Sequence, residues 1–353
     1  MNDTVAYILG ITPSNTQLLK LSRDNFNSAQ LINFLQKCSS EPTSNNDYLS
    51  FSSLSHSLYK LLFQPLKIPQ GRVIICPDNF LIPFDALCAD NTGNNFLIND
   101  YIFSYVYSAS FLFKKYNSSL PNGDFIGFAP VSFNAYSFIA DLKQSGDALK
   151  QSAKHYNNSK LLTNNNASRH NFISAVSGYT IVNVFSHALA DTTENEPLLY
   201  MYDSIVRLSD LQLLHNPATK LVVLSACQTN VGRSAKGEGI LSLARGFASA
   251  GIPSVAATLW QADEESIYAI SEKFHEYLSK GMPKDEALQK AKLYFIRNGF
   301  NKKTSAYYWA NMILVGNQEP VKLSEDHQIW WWAAGIFFII ALILLIVQFF
   351  KKH

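Results

Sequence analysis

The chain holds 353 residues, room for one large domain or two ordinary ones, with 29 basic and 27 acidic residues and a formal net charge of +2. Its charged fraction is 16%, low against roughly 25% in an average soluble protein, and the charges form neither a basic stripe nor an acidic tail, so nucleic acid is not an expected partner. The four cysteines, Cys38, Cys76, Cys88 and Cys227, show no CxxC spacing; no zinc site, disulfide framework or other metal or cofactor is expected, and a reducing compartment fits.

The N-terminus lacks the basic flank of a secretory signal. "VAYILGITPS" and "TQLLKLS" predict a β-hairpin around a Pro-Ser-Asn turn. Two helices are expected next, in "NFNSAQLINFLQKC" and "YLSFSSLSHSLYKLLFQPL", where Leu and Phe recur at helical intervals; "SSEPTSNND" between them reads as a loop. Residues 1–70 therefore form a hairpin and helical part.

From residue 71 the pattern changes to short apolar runs, each followed by a turn signal: "RVIICPD", "FIGFAPV", "YTIVNVFSHA", "KLVVLSACQ", "PSVAATLW" and a closing "WANMILVG". Continuous β-branched runs suit strands covered on both faces. Helical stretches lie between them, including "GILSLARGFASAG" with its Gly251 stop, "ESIYAISEKFHEYLSKG" closed by Gly281, and "PKDEALQKAKLYFIRNG" with Pro283 in its first turn. The expected fold is α/β, a mainly parallel central sheet flanked by helices, over residues 1–319.

Residues 320–328 read as a polar linker. Beyond it "IWWWAAGIFFIIALILLIVQFF", Ile329–Phe350, carries no charge and would span roughly 33 Å as a helix, enough for a bilayer core of about 30 Å. Trp330, Trp331 and Trp332 lie at one edge and Lys351 and Lys352 at the other. The lysines favour a cytosolic C-terminus, whereas the lack of an export signal favours a cytosolic body. The expectation is a single-pass C-terminal anchor, a cytoplasmic body and a translocated tail, residues 351–353.

Cys227 follows the apolar run "LVVLSA" and His187 follows "IVNVFS", so both would emerge at the C-terminal ends of strands, the edge where sites assemble in open α/β sheets. A thiol becomes a nucleophile when a neighbouring imidazole takes its proton, which makes the pair a candidate catalytic dyad. Taken singly, Cys227 reads as a small buried hydrophobe and His187 as a structural histidine. Cys76, which follows "RVII" but precedes Pro77 and Asp78, reads as core. Gly237 and Gly239 lack the Lys-Ser/Thr ending of a phosphate loop.

"LVVLSACQT" with "KGEGILSLARGFASAGIPSVAATLWQADEES" resembles the signature block of the CHAT peptidases, relatives of caspases, separase and the gingipains, and "VNVFSHA" resembles their His motif. "GRVIICPDNFLIPFDAL" and "YYWANMILVG" extend the resemblance to roughly residues 5–316. The resemblance implies a caspase-like fold and a cysteine endopeptidase with Cys227 as nucleophile and His187 as general base and acid. It places the oxyanion hole on the backbone N–H groups of Cys227 and Ala188, the latter standing where Gly is frequent.

By the same resemblance Asp263 would face a basic residue before the scissile bond; read from its position alone, it is equally the N-cap of the following helix. The implied partners are a protein or peptide substrate, the membrane, and a separate regulatory protein, since many relatives carry upstream helical TPR repeats and this chain opens on its own hairpin. A bacterial regulatory, conflict or cell-death pathway fits that arrangement. The alternative is a catalytically silent caspase-like scaffold that binds a partner at the membrane.

Overall fold

A computed structural model describes residues 5–22, 26–78, 80–114, 119–136, 138–190, 197–211, 214, 217–225, 245–261, 263–299 and 303–324. The N-terminal hairpin forms as expected, β1 (Val5–Ile11) pairing antiparallel with β2 (Thr16–Ser22). Helix α1 (Ser28–Cys38) is capped by the Asn27 side chain. Helix α2 (Asn45–Leu62) begins inside the expected loop, because Ser44 and Asp47 form a reciprocal capping box that satisfies two otherwise orphaned backbone donors.

The next strands are β3 (Gly71–Ile75), β4 (Tyr101–Tyr105), β5 (Gly123–Ala129), β6 (Ser159–Thr163) and β7 (Tyr179–Phe185). A small antiparallel meander follows, β8 (Ala188–Ala190), β9 (Pro197–Tyr200) and β10 (Ile205–Arg207), and then β11 (Leu221–Ser225), β12 (Ser254–Thr258) and β13 (Met312–Gly316). Eight of these make one sheet in the order β3-β4-β13-β12-β11-β7-β5-β6, parallel throughout except where β12 meets β13.

Within this sheet the chain runs from β5 outward to β6 and then returns to β7 on β5's other side. That reversal is a topological switch point, and it opens a crevice at the carboxyl ends of β5 and β7. Strand β6 carries mostly half-exposed residues, as an edge position allows, and so lacks the apolar run by which a strand is read from sequence.

The longer helices that follow among the described residues are α3 (Ser145–Ala153), α4 (Arg169–Ala175), α5 (Glu264–Ser279) and α6 (Lys284–Arg297). Every residue of β5 is buried, and its two faces meet different helices. Phe125 stacks on Tyr156 at 5.0 Å and meets His275 of α5 at 5.2 Å, while Phe128, on the opposite face, meets Phe172 of α4 at 5.1 Å. Gly127 lets α3 approach closely, since a Cβ there would stand 2.3 Å from Leu149 Cδ1.

The acidic residue of "PFDAL", Asp85, is buried and paired with the buried Lys292 of α6. Burial raises the Asp85 pKa despite that cation. One expectation is corrected: Cys76 is exposed, not core, because it sits one residue past the end of β3, the sheet's edge strand. Cys38 and Cys88 are buried.

Residues 1–322 form one compact unit and residues 323–353 a second. The expected membrane segment 329–350 lies outside the described residues. Among the described residues no helix is long and apolar enough to cross a membrane.

Candidate active site

His187 stands two residues past the end of β7, at the switch-point crevice, and is 7% exposed. Its Nε2 lies 2.9 Å from the carbonyl oxygen of Ala140. A carbonyl only accepts, so Nε2 carries the proton, and in the neutral ring Nδ1 is left with a lone pair able to take one. The Phe133 ring packs edge-on against the imidazole at 4.9 Å. Burial lowers the His187 pKa, with the Ala140 carbonyl opposing that shift, so the ring favours its neutral form.

Both contacts come from the loop between β5 and α3, on the far side of the crevice. Sequence reading missed them: a backbone carbonyl carries no side-chain signature, and "PVSFNAYSFIADL" contains no spacing that announces a partner for a histidine.

Ala188 begins β8, the edge strand of the meander, opposite Leu199. The Tyr200 N–H donates to the His187 carbonyl at 2.9 Å, which makes 187 and 200 a hydrogen-bonded pair. Antiparallel pairs alternate, so Ala188 and Leu199 are a non-bonded pair and the Ala188 N–H is directed away from β9. Ser186 Oγ donates to the Tyr200 carbonyl, so residues flanking His187 on both sides are held by the meander.

Cys227 lies outside the described residues, as do Gly237 and Gly239. The last described residue of β11, Ser225, is in parallel register with Phe185 of β7. Cys227 and His187 each follow that register pair by two positions in the sequence.

Asp263 is the N-cap of α5, accepting the Ser266 backbone N–H at 3.0 Å and the Ser266 hydroxyl at 2.6 Å. The same carboxylate oxygen receives Lys303 Nζ at 2.8 Å, and Lys303 also reaches Glu265 at 2.8 Å. Burial alone would raise the Asp263 pKa; the hydrogen bonds from Lys303 and Ser266 outweigh it and hold the carboxyl below its ordinary value.

Asp263, Glu264, Glu265 and Lys303 form one wall of an open cleft of about 360 Å³, and Asp141, Lys143 and Gln144 form the other. The first wall is the start of α5, which leans on β7 through the Tyr268–Phe185 ring contact at 4.9 Å. The second follows Ala140 directly in the chain. One wall thus continues the loop that contacts His187, the other pairs Lys303 with a helix packed on the strand that His187 follows, and the carboxylates of the cleft outnumber its cations. Among the described residues no cluster of three or more His, Cys, Asp or Glu side chains could hold a metal ion.

Among solved structures the fold is similar to the Arg-specific cysteine proteinase gingipain R (RGPB), with 11% identity and a TM-score of 0.46 over 80% of this chain and 69% of that one. It is also similar to the complex of Porphyromonas gingivalis RgpB pro- and mature domains, with 10% identity and a TM-score of 0.46 over 82% and 75% of the two chains. Similarity to the Saccharomyces cerevisiae separase–securin complex has 13% identity and a TM-score of 0.43, covering 67% of this chain but spanning only 15% of that chain's length. No curated protein matches the sequence. The family model described as "CHAT domain" matches residues 52–317, from within α2 to just past β13. The chain belongs to the CHAT domain family.

Proposed function

We propose that this CHAT-domain protein is a cysteine endopeptidase in which Cys227 is the nucleophile and His187 the proton shuttle. The observation that carries the reading is His187 itself: an imidazole at the switch-point edge, next to the strand that leads to Cys227, with Nε2–H bound to a carbonyl and Nδ1 left to accept a proton.

In this reading Nδ1 of His187 takes the thiol proton of Cys227, and the thiolate attacks the peptide carbonyl carbon. The backbone N–H groups of Ala188 and Cys227 stabilise the oxyanion, an arrangement supported by the outward direction of the Ala188 N–H. As the tetrahedral species collapses, the C–N bond breaks and the imidazolium gives its proton to the leaving amine. Water, deprotonated by His187, then adds to the thioester and the thiolate departs.

The acidic cleft supports a basic side chain at the residue before the scissile bond, with Asp263 as its acceptor. In the resting protein that carboxylate is held by Lys303, so an incoming Arg or Lys side chain competes with the chain's own cation. The segment 329–350 serves in this reading as a membrane anchor, with the peptidase unit in the cytoplasm and a separate protein as regulator.

The test is cleavage of a fluorogenic peptide library by the full-length chain in detergent, beside its Cys227→Ala variant. Cleavage that vanishes in the variant supports the dyad, and cleavage that survives refutes it. If neither cleaves, alkylation of Cys227 near neutral pH separates the enzyme from a silent scaffold, because a His-paired thiol reacts with iodoacetamide far faster than an unassisted one.

A further inference from the structure

We propose that Asp141 is a positioning residue for His187, acting through the Ala140 carbonyl; the proposal rests on the reading of His187 as the proton acceptor. The described residues of the loop that joins β5 to α3 form no regular secondary structure, yet they supply the Ala140 and Phe133 contacts on the imidazole, so something must hold them. Its shape is fixed by short-range ties. Ser132 N–H donates to the Pro130 carbonyl at 2.8 Å, and Leu142 N–H closes the loop onto the Val131 carbonyl at 2.9 Å. Val131 adopts φ 66°, a left-handed conformation that a β-branched residue rarely takes and that persists only where the surroundings enforce it.

The tie nearest the histidine is made by a side chain. Asp141 Oδ1 accepts the Phe133 backbone N–H at 3.0 Å. This bond joins the two ends of the segment that grips His187: Phe133, whose ring lies against the imidazole, and Ala140, whose carbonyl receives Nε2–H. Asp141 follows Ala140 directly, so the Ala140 carbonyl and the Asp141 N–H share one rigid peptide plane. Anchoring the Asp141 carboxylate on Phe133 therefore sets the direction in which that carbonyl points.

Without an acceptor at 141 the Phe133 N–H loses its partner and the carbonyl is free to swing. The imidazole then has no fixed donor site on Nε2, and the two neutral tautomers mix. Displacement of a reacting group by about 1 Å costs on the order of a hundredfold in rate. The rest of the loop stays in place, because Phe133, Ile139 and Leu142 share a small apolar core with Leu198 and Tyr200 of β9.

Asp141 also lines the cleft, where its charge could attract a basic substrate. The two roles part on substitution by Asn, which keeps the acceptor oxygen and removes the charge. The experiment measures kcat and KM for the full-length chain, Asp141→Ala and Asp141→Asn, together with 15N NMR of histidine-labelled protein, the His187 signals being assigned with His187→Gln.

The expected result is a kcat lowered about 10- to 100-fold in Asp141→Ala with KM changed by less than about twofold. His187 shows mixed tautomers in that variant, while Asp141→Asn keeps the wild-type tautomer and kcat, the two readouts that report on positioning and not on the charge of the cleft. Two outcomes overturn the proposal: Asp141→Asn as impaired as Asp141→Ala with a raised KM, which makes the charge a substrate contact, or wild-type tautomer and kcat in both variants. A tautomer shift in Asp141→Ala with no cleavage by any form supports the positioning role, and the peptidase reading then falls or stands on the alkylation of Cys227.

Discussion

His187 donates its Nε2–H to the carbonyl of Ala140 across 2.9 Å, joining the end of one central strand to the loop that leaves its neighbour. A histidine held in this tautomer beside apolar surroundings stays neutral further into acid than a free one, and burial sets the direction. The acid limb of kcat/KM is therefore expected to have its midpoint below the ordinary imidazole value of about 6.5. A midpoint above that value contradicts this environment. His187→Ala is expected to lower kcat/KM by about 10²- to 10⁴-fold, the contribution of a positioned acid–base group.

Asp263 serves two roles that one substitution can separate. Asn caps a helix as well as Asp does, so Asp263→Asn should leave the melting temperature nearly unchanged, whereas Asp263→Ala should cost about 1 kcal/mol. If the carboxylate reads a basic side chain, Asp263→Asn should raise KM for Arg or Lys substrates up to about fivefold, the ~1 kcal/mol of a partly exposed charge pair. An unchanged KM leaves capping as its sole role.

Lys303 competes for the same oxygen. The pair is partly exposed and contributes up to about 1 kcal/mol. Lys303→Ala should then lower KM for basic peptides by at most about fivefold and leave neutral peptides unaffected. Steady-state kinetics on matched Arg and norleucine peptides checks this, and a rise in KM would mean that Lys303 shapes the cleft instead of filling it.

His275 is buried beneath the sheet, with Tyr156 Oη 2.9 Å from Nδ1 and Asn183 Oδ1 3.3 Å from Nε2, and burial lowers its pKa to about 3. The folded-state value lies below the unfolded value of about 6.5, so the unfolded chain binds the extra proton between them. Stability is thus complete above about pH 6.5 and falls as pH drops toward 3, with this group contributing up to about 1.4 kcal/mol per pH unit. His275→Gln should lower stability at pH 7 yet flatten that slope, as urea melts at pH 7 and pH 4.5 would show. An unchanged slope would mean that His275 is not the titrating group.

The Asp85–Lys292 pair tests a buried charge. Lys292→Met leaves Asp85 without its cation and should destabilise the fold by about 3–5 kcal/mol. Adding Asp85→Leu should recover most of that loss, because an apolar pair avoids the desolvation cost. A double variant no more stable than the single one would point to a packing defect.

Much of the architecture was legible in local pattern. The runs at 125–129, 181–185 and 221–225 are buried on both faces and therefore read as continuous apolar strands. The helices after Asp263 and Pro283 declare themselves by caps and by Gly281 and Gly299. Strand β6, exposed at the sheet's edge, and the meander β8–β10, whose strands are three or four residues long, offered no comparable period.

The sequence by itself determined the α/β class, the motif residues His187 and Asp263 and their resemblance to a peptidase family, since side-chain type and spacing are local properties. Only the tertiary structure decided that the Ala140 carbonyl and Phe133 hold His187, that Lys303 occupies Asp263, and that Cys76 lies in the open. Those relationships join a strand end, a loop and a helix start that are distant in the chain. Two of them rest on a backbone carbonyl and an edge position, neither of which any residue type encodes.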